Sequence, residues 1–319
     1  MTHRHCSRHI LPLLAVILLI VVAPIGVPLR ADSTLVEATD QSAESVRAAT
    51  TFSVIVPVQP YGLVVDRISE GRVDVHILVP PGQSPHTYSP APQQIAAFAE
   101  ADALFHVGLE LEHGLVPKLQ ELNEDLLIIQ LTSTEPGSQD AGEHIHDHES
   151  GHDPHVWLNP DSVARQAALI AEALALLDPA GAPSYAARCE SLVRDLSSLD
   201  KELRSRLEPH AGTRFYVFHP AFGHFAEAYD LKQVAIEADG KEPGAKRLAE
   251  LMDMARGENV RVVITQPQHS DATVRTLAGE IDAKIVSVDP LAYDLFATLR
   301  ALADAIAGDT RQETEDDRP

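Results

Sequence analysis

Four residues, far apart in the chain, stand where a polar side chain has no structural reason to be. His86 lies in the loop after an apolar strand ending at Val79. His155 precedes a helix start at Asn159-Pro160, His219 directly follows RFYVF, and Asp289 directly follows KIVSV. Three imidazoles and a carboxylate make a donor set suited to Zn2+, which prefers four tetrahedral N, S or O ligands. Spacing alone does not select them, because the chain holds 16 histidines. For each one, a loop histidine bonded to water or backbone is the ordinary alternative.

A second group of histidines has a different character. His144, His146, His148 and His152 fall in a tract over 135–153 that is rich in Gly, Ser, Asp, Glu and His and has nothing to bury. The tract is expected to be a flexible, metal-attracting loop. Its sites are weaker than a preformed one, since each imidazole must be ordered on binding. A solvated loop that carries histidines incidentally is the competing reading. His155 stands apart from this tract because VWL and the Asn159 cap follow it and can fix its ring.

The elements that must position these residues alternate regularly. Strand patterns at FSVIVPV, 73–79, ALFHVG and 125–131 are interleaved with helical segments, including Tyr61–Glu70 and 93–101. After the histidine tract, Asn159 followed by Pro160 opens a helix that Asp178-Pro179 stops. Ser184 to Glu208 then runs 25 residues without glycine or proline, with Leu192, Leu196, Leu199, Leu203 and Leu207 at three- and four-residue spacing. That is about 37 Å of helix. Beyond it come RFYVF, a helix over 221–229, QVAIE, a helix over 245–256, VRVVIT, a helix over 271–281, KIVSV and a helix over 291–307. The expected architecture is α/β: two βα lobes with mainly parallel sheets joined by one long helix. Open sheets of this kind bind ligands outside the carboxyl ends of their strands, so the cleft between the lobes is where the four residues can meet.

Composition bounds the rest. The first 31 residues, a basic start followed by an uncharged run around LLAVILLIVV, read as a secretory signal, with an uncleaved anchor as the alternative. A flexible leader over 32–50, an N-terminal lobe over 51–182, the connector over 183–209, a C-terminal lobe over 210–308 and a charged tail over 309–319 complete the expected layout. The mature chain is expected outside the cytoplasm, periplasmic or secreted. There its single remaining cysteine, Cys189, excludes an intramolecular disulfide. A net charge of -22 excludes nucleic-acid binding and favours cations.

PPGQSPHTYSPAP, DPHVWLNP, FHPAFGHFAEAYDL with IEADGKEPG, and ITQPQHS followed by SVDPLAYD together resemble the cluster A-I solute-binding proteins of bacterial ABC importers, in particular the zinc-uptake members. The likeness runs from about Phe52 to Ala307. It implies metal-ligand roles for His86, His155, His219 and Asp289, Zn2+ as the transported ligand, an ABC permease as partner, a monomeric state and no enzymatic activity. A histidine at 219, where manganese-type relatives carry a carboxylate, fits zinc. Manganese or iron transport and an extracellular buffer or adhesin stay as alternatives. A zinc hydrolase fits less well, because no HExxH occurs and Asp289 as fourth ligand would close the shell. The chain departs from the family pattern at Pro85, where an acid is found in some relatives, at Gln266, where an acid is usual, and at His224, where an aromatic is common. The stiff connector implies that release depends on the loops carrying His86 and His155.

Overall fold

Among the described residues, eight short strands, none longer than five residues, carry the architecture. In a computed structural model the described residues are 52–132, 153–237, 240–258, 260–270 and 272–308. The signal and leader readings, the loop histidines His144, His146, His148 and His152, and the tail lie outside them. The described residues form one compact unit.

The first half runs β1 (Phe52–Val56), α1 (Gln59–Ser69), β2 (Val73–Ile77), α2 (Pro92–Phe98), β3 (Ala103–His106), α3 (Glu110–Leu122) and β4 (Leu127–Gln130). After the undescribed segment, a 3-10 turn at Val156–Leu158 leads into α4 (Pro160–Leu177). The connector is α5 (Ala182–Leu207). The second half runs β5 (Arg214–Val217), α6 (Gly223–Ala228), β6 (Lys232–Ala235), α7 (Ala245–Gly257), β7 (Val262–Thr265), α8 (Ala272–Ile281), β8 (Lys284–Ser287) and α9 (Leu295–Ala307).

Both sheets have four strands, all pairs parallel, and the two orders match: β2-β1-β3-β4 and β6-β5-β7-β8. Strands such as Val54–Val56 and Tyr216–Val217 are buried at every position, as parallel strands covered by helices must be. The connector reaches 26 residues, about 39 Å, because Pro183 sits in its first turn, where a missing N–H costs nothing. Tyr185, Cys189 and the five leucines of its stripe are all buried. They belong to one apolar core that takes in residues of both lobes, from Val54 to Ala305. At about 1.5–3 kcal/mol per buried leucine, this stripe fixes the helix as the spine of the molecule. Ion pairs of Arg67 with Asp195 and of Arg300 with Glu202 at 2.9 Å flank the spine, but they are half-exposed and contribute little.

The helix expected over 291–307 begins instead at Leu295. Asp294 accepts from the Ala297 N–H at 3.0 Å and caps it there, and residues 289–293 form a turn in which the Ala292 N–H donates to the Asp289 carbonyl. The Asn159 cap is as expected: its side-chain oxygen accepts from the Asp161 and Ser162 amides at 2.9 and 3.4 Å.

Candidate metal centre

Each lobe delivers histidines to the cleft from the carboxyl ends of its strands. His86 follows β2 in a turn in which the Thr87 and Tyr88 amides donate to the Ser84 carbonyl. The residue as a whole is exposed, while its ring turns into the partly buried contact with His219. His155 is buried at the N-cap of the 3-10 turn, its ring 5.3 Å from that of the fully buried Trp157. The Trp157 indole N–H donates to the Pro290 carbonyl at 2.8 Å, tying this turn to the loop after β8. His219 follows β5 and is buried; its main chain is clamped by Gln266, whose amide oxygen accepts from the His219 N–H at 3.1 Å and whose amide nitrogen donates to the His219 carbonyl at 2.7 Å. An ionised carboxylate could accept but not donate, so a glutamine here makes both bonds where a glutamate would make one.

One ligand atom from each of His86, His155 and His219 lies within 4.8 Å of the other two. The His219 Nε2 is 3.2 Å from the His86 Nε2 and 3.4 Å from the His155 Nε2. A tetrahedral ion with Zn–N bonds of about 2.0–2.1 Å requires neighbouring nitrogens about 3.3–3.4 Å apart, so these separations match the edges of that tetrahedron. The far nitrogens of two rings are also fixed. Nδ1 of His155 donates to Asp153 at 2.7 Å, and Nδ1 of His219 donates to Glu237 at 2.7 Å, with the tautomers assigned from these carboxylate partners. Carboxylate–histidine pairs of this kind orient a metal ligand and raise its basicity. Asp153 is itself tied down: His224 lies 3.0 Å from its carbonyl through Nε2. His224 is thus a buried histidine that holds the residue orienting His155.

Burial favours the neutral ring at His86 and at His219. Burial, and secondarily the neighbouring His219, lowers the His86 pKa below its ordinary value. Burial lowers that of His219 as well, against an opposing pull from Glu237. For Asp153, burial acts upward, but its interactions with His155, through both ring and backbone N–H, and with His224 outweigh it and hold the carboxyl at about 2. The cavity between the rings has a volume of about 10 Å³, room for one water-sized sphere, and Gln268, His269 and Leu291 complete its wall.

Asp289 does not join the group. Its Oδ1 accepts from the Gln268 side-chain amide at 2.7 Å and from the Leu291 N–H at 2.9 Å. Of the four residues expected at the site, three histidines have ligand atoms within 4.8 Å of one another, and Asp289 hydrogen-bonds Gln268 and Leu291 of the cavity wall. Sequence reasoning missed Asp153, Glu237 and His269. Glu237 carried a usable signal, since it falls just past β6 at a strand's carboxyl end.

Two parallel α/β lobes on a rigid helical spine, with a triad of oriented imidazoles between them, define a metal-binding member of the solute-binding proteins. The chain belongs to the family described as zinc-uptake complex component A, periplasmic, whose model matches residues 54–308. It is 30% identical over 248 residues to the high-affinity zinc uptake system protein ZnuA of Paracoccus denitrificans, covering 68% of this chain and 76% of that one. Among solved structures it is similar to a crystal structure of ZnuA, with a TM-score of 0.74 and 35% identity over 81% of this chain and 99% of the other. It is also similar to an internal deletion mutant of ZnuA with zinc bound, with a TM-score of 0.73 and 35% identity over 81% of this chain and 97% of that one.

Proposed function

We propose that this protein captures Zn2+ outside the cytoplasm at His86, His155 and His219 and delivers it to an ABC permease for import. One observation carries the reading. The Nε2 of His219 lies 3.2 Å from that of His86 and 3.4 Å from that of His155, the ligand spacing of a tetrahedral ion, while carboxylates hold the far nitrogens of His155 and His219 at 2.7 Å. Membership of a zinc-uptake family and the names of its relatives support the cargo and the transport role. Capture, rather than catalysis, fits a cavity of about 10 Å³, which has no space for an organic substrate beside an ion. No helix among the described residues is long and apolar enough to cross a membrane.

The three ligands divide the work. His155 and His219 are buried and carboxylate-held, whereas His86 is exposed, and no carboxylate hydrogen-bonds its ring among the described residues. Metal therefore enters and leaves past His86, while His155, locked by Trp157 and Asp153, stays in place. This narrows the expectation that the loops of both residues move. The undescribed tract with His144, His146, His148 and His152 is assigned a collecting role at lower affinity. Competition titration of the apo-protein with Zn2+ against Mn2+ tests the cargo. Nitrogen donors predict one tight zinc equivalent that excess manganese does not displace, and displacement by equimolar manganese refutes the zinc assignment.

A further inference from the structure

His155 belongs by chain order to the N-terminal lobe, yet hydrogen bonds on both sides of it run to the C-terminal lobe. Two residues before it, the Asp153 carbonyl lies 3.0 Å from Nε2 of His224 in α6. A carbonyl only accepts, so that nitrogen carries the proton and donates. Two residues after it, the Trp157 indole N–H donates to the Pro290 carbonyl at 2.8 Å. Asp153 also grips His155 directly, since its Oδ1 accepts from the His155 backbone N–H at 3.0 Å and from the ring at 2.7 Å. On the other side of the cleft, His219 and His224 form one packed piece. Residues 221–226 are buried, the Ala221 N–H donates to the His219 carbonyl at 2.8 Å, and the Phe222 N–H donates to the Gln233 Oε1 at 2.7 Å.

Two contacts therefore cross between the same pair of segments. The Nε2 atoms of His155 and His219, 3.4 Å apart, are set to share an ion, and the His224 bond to Asp153 stands beside them and requires no metal. Resting on the reading that this site holds zinc, we propose that His224 is a positioning residue for metal capture. Its bond to the Asp153 carbonyl fastens the His155 segment to the C-terminal lobe, so the two buried donors keep their ligand spacing while the site is empty, and exchange requires movement of His86 alone. Losing one buried, neutral hydrogen bond shifts such an equilibrium by about five- to tenfold. A binding-competent fraction lowered by that factor slows capture by the same factor. Release past His86 does not separate His155 from His219, so its rate stays as it was.

Trp157 is the chain's single tryptophan and its ring lies 5.3 Å from that of His155, so its fluorescence follows the arrival and loss of metal. Zinc sulfate is mixed in stopped flow with the apo forms of the full chain, of His224→Phe, which fills the space but cannot donate, and of His224→Gln, whose amide still can. Release is then followed by mixing the loaded proteins with excess chelator. Association about five- to tenfold slower in His224→Phe, with release unchanged and association recovered in His224→Gln, is expected. Faster release with unchanged association in His224→Phe, equal rates in all three proteins, or no recovery in His224→Gln overturns the proposal. One measurement needs no variant: nitrogen-15 NMR of the apo wild type should show His224 protonated at Nε2 with slowed proton exchange, and a proton on Nδ1 or one in free exchange overturns it. Failure of the underlying zinc reading looks different: the wild-type protein would then retain no equivalent of metal through dialysis.

Discussion

Glu237 is the group whose removal isolates orientation from ligation. It touches no ion, yet its carboxylate accepts the His219 Nδ1–H at 2.7 Å, and its side chain is 4% exposed. Short, charge-assisted bonds of this kind contribute about 1.5–3 kcal/mol. Since 1.4 kcal/mol is tenfold in a dissociation constant, loss of the bond should weaken zinc binding roughly 10- to 100-fold, the range found for partners that orient metal ligands. Glu237→Leu, which leaves Nδ1 without a partner and the tautomer unfixed, belongs at about the upper end. Glu237→Gln keeps an accepting oxygen but loses the charge, and so falls at about tenfold or less. Because Gln266 still clamps the His219 backbone at both its N–H and its carbonyl, the ring stays near the cavity and the loss is one of orientation. The assay is competition with a chromophoric chelator at neutral pH, with circular dichroism confirming that the apo-variants are folded. A Glu237→Leu protein that binds zinc as the wild type does would refute the argument that the carboxylate sets the ligand.

Trp157→Phe keeps an aromatic ring beside His155 but deletes the donor to the Pro290 carbonyl, and should lower unfolding free energy by about 1–3 kcal/mol in denaturant titrations followed by circular dichroism. A second prediction concerns Glu112, whose carboxyl burial raises to about 7 although three backbone amides, those of Val107, Gly108 and Leu109, pull it down. A folded pKa above the unfolded value of 4.5 means that the folded state holds the extra proton. Stability is then fully present below about pH 4.5 and lost as pH rises through about 7, by on the order of 3 kcal/mol. Glu112→Gln keeps one oxygen for the three amides and should flatten that slope, and an unchanged slope would place the titration elsewhere. A third follows from the lowered pKa values of His86 and His219, which burial causes in both. Protons compete with zinc only below the ordinary imidazole midpoint of about 6.5, so affinity should be level from pH 8 to 7 and fall below pH 6.5.

Much of the architecture was legible because it rests on local periodicity. The connector shows as a stripe of five leucines, the strands as short apolar runs, and α4 as an Asn-Pro start that the structure reproduces with two side-chain hydrogen bonds. His155 and His219 were legible for a related reason, since each abuts an element whose geometry fixes it. Asp289 stands after β8 in the same kind of position as His219 after β5, and what the chain does not show is its partner there, Gln268, 21 residues away. Glu237 was overlooked at an equivalent strand end because its partner lies 18 residues back. His269 was hidden by a different circumstance: its link to the site is a ring stack on His219, which leaves no pattern in the chain.

Zinc titration of the His155→Ala/His219→Ala double variant, beside the wild type, tests the central claim most directly. It removes the two buried donors while leaving His86, His269 and the whole 135–153 tract in place. The wild type should take up one tight equivalent followed by weaker binding, and the double variant should show only the weaker phase. A tight equivalent that survives in the double variant would mean that the metal is held elsewhere in the chain.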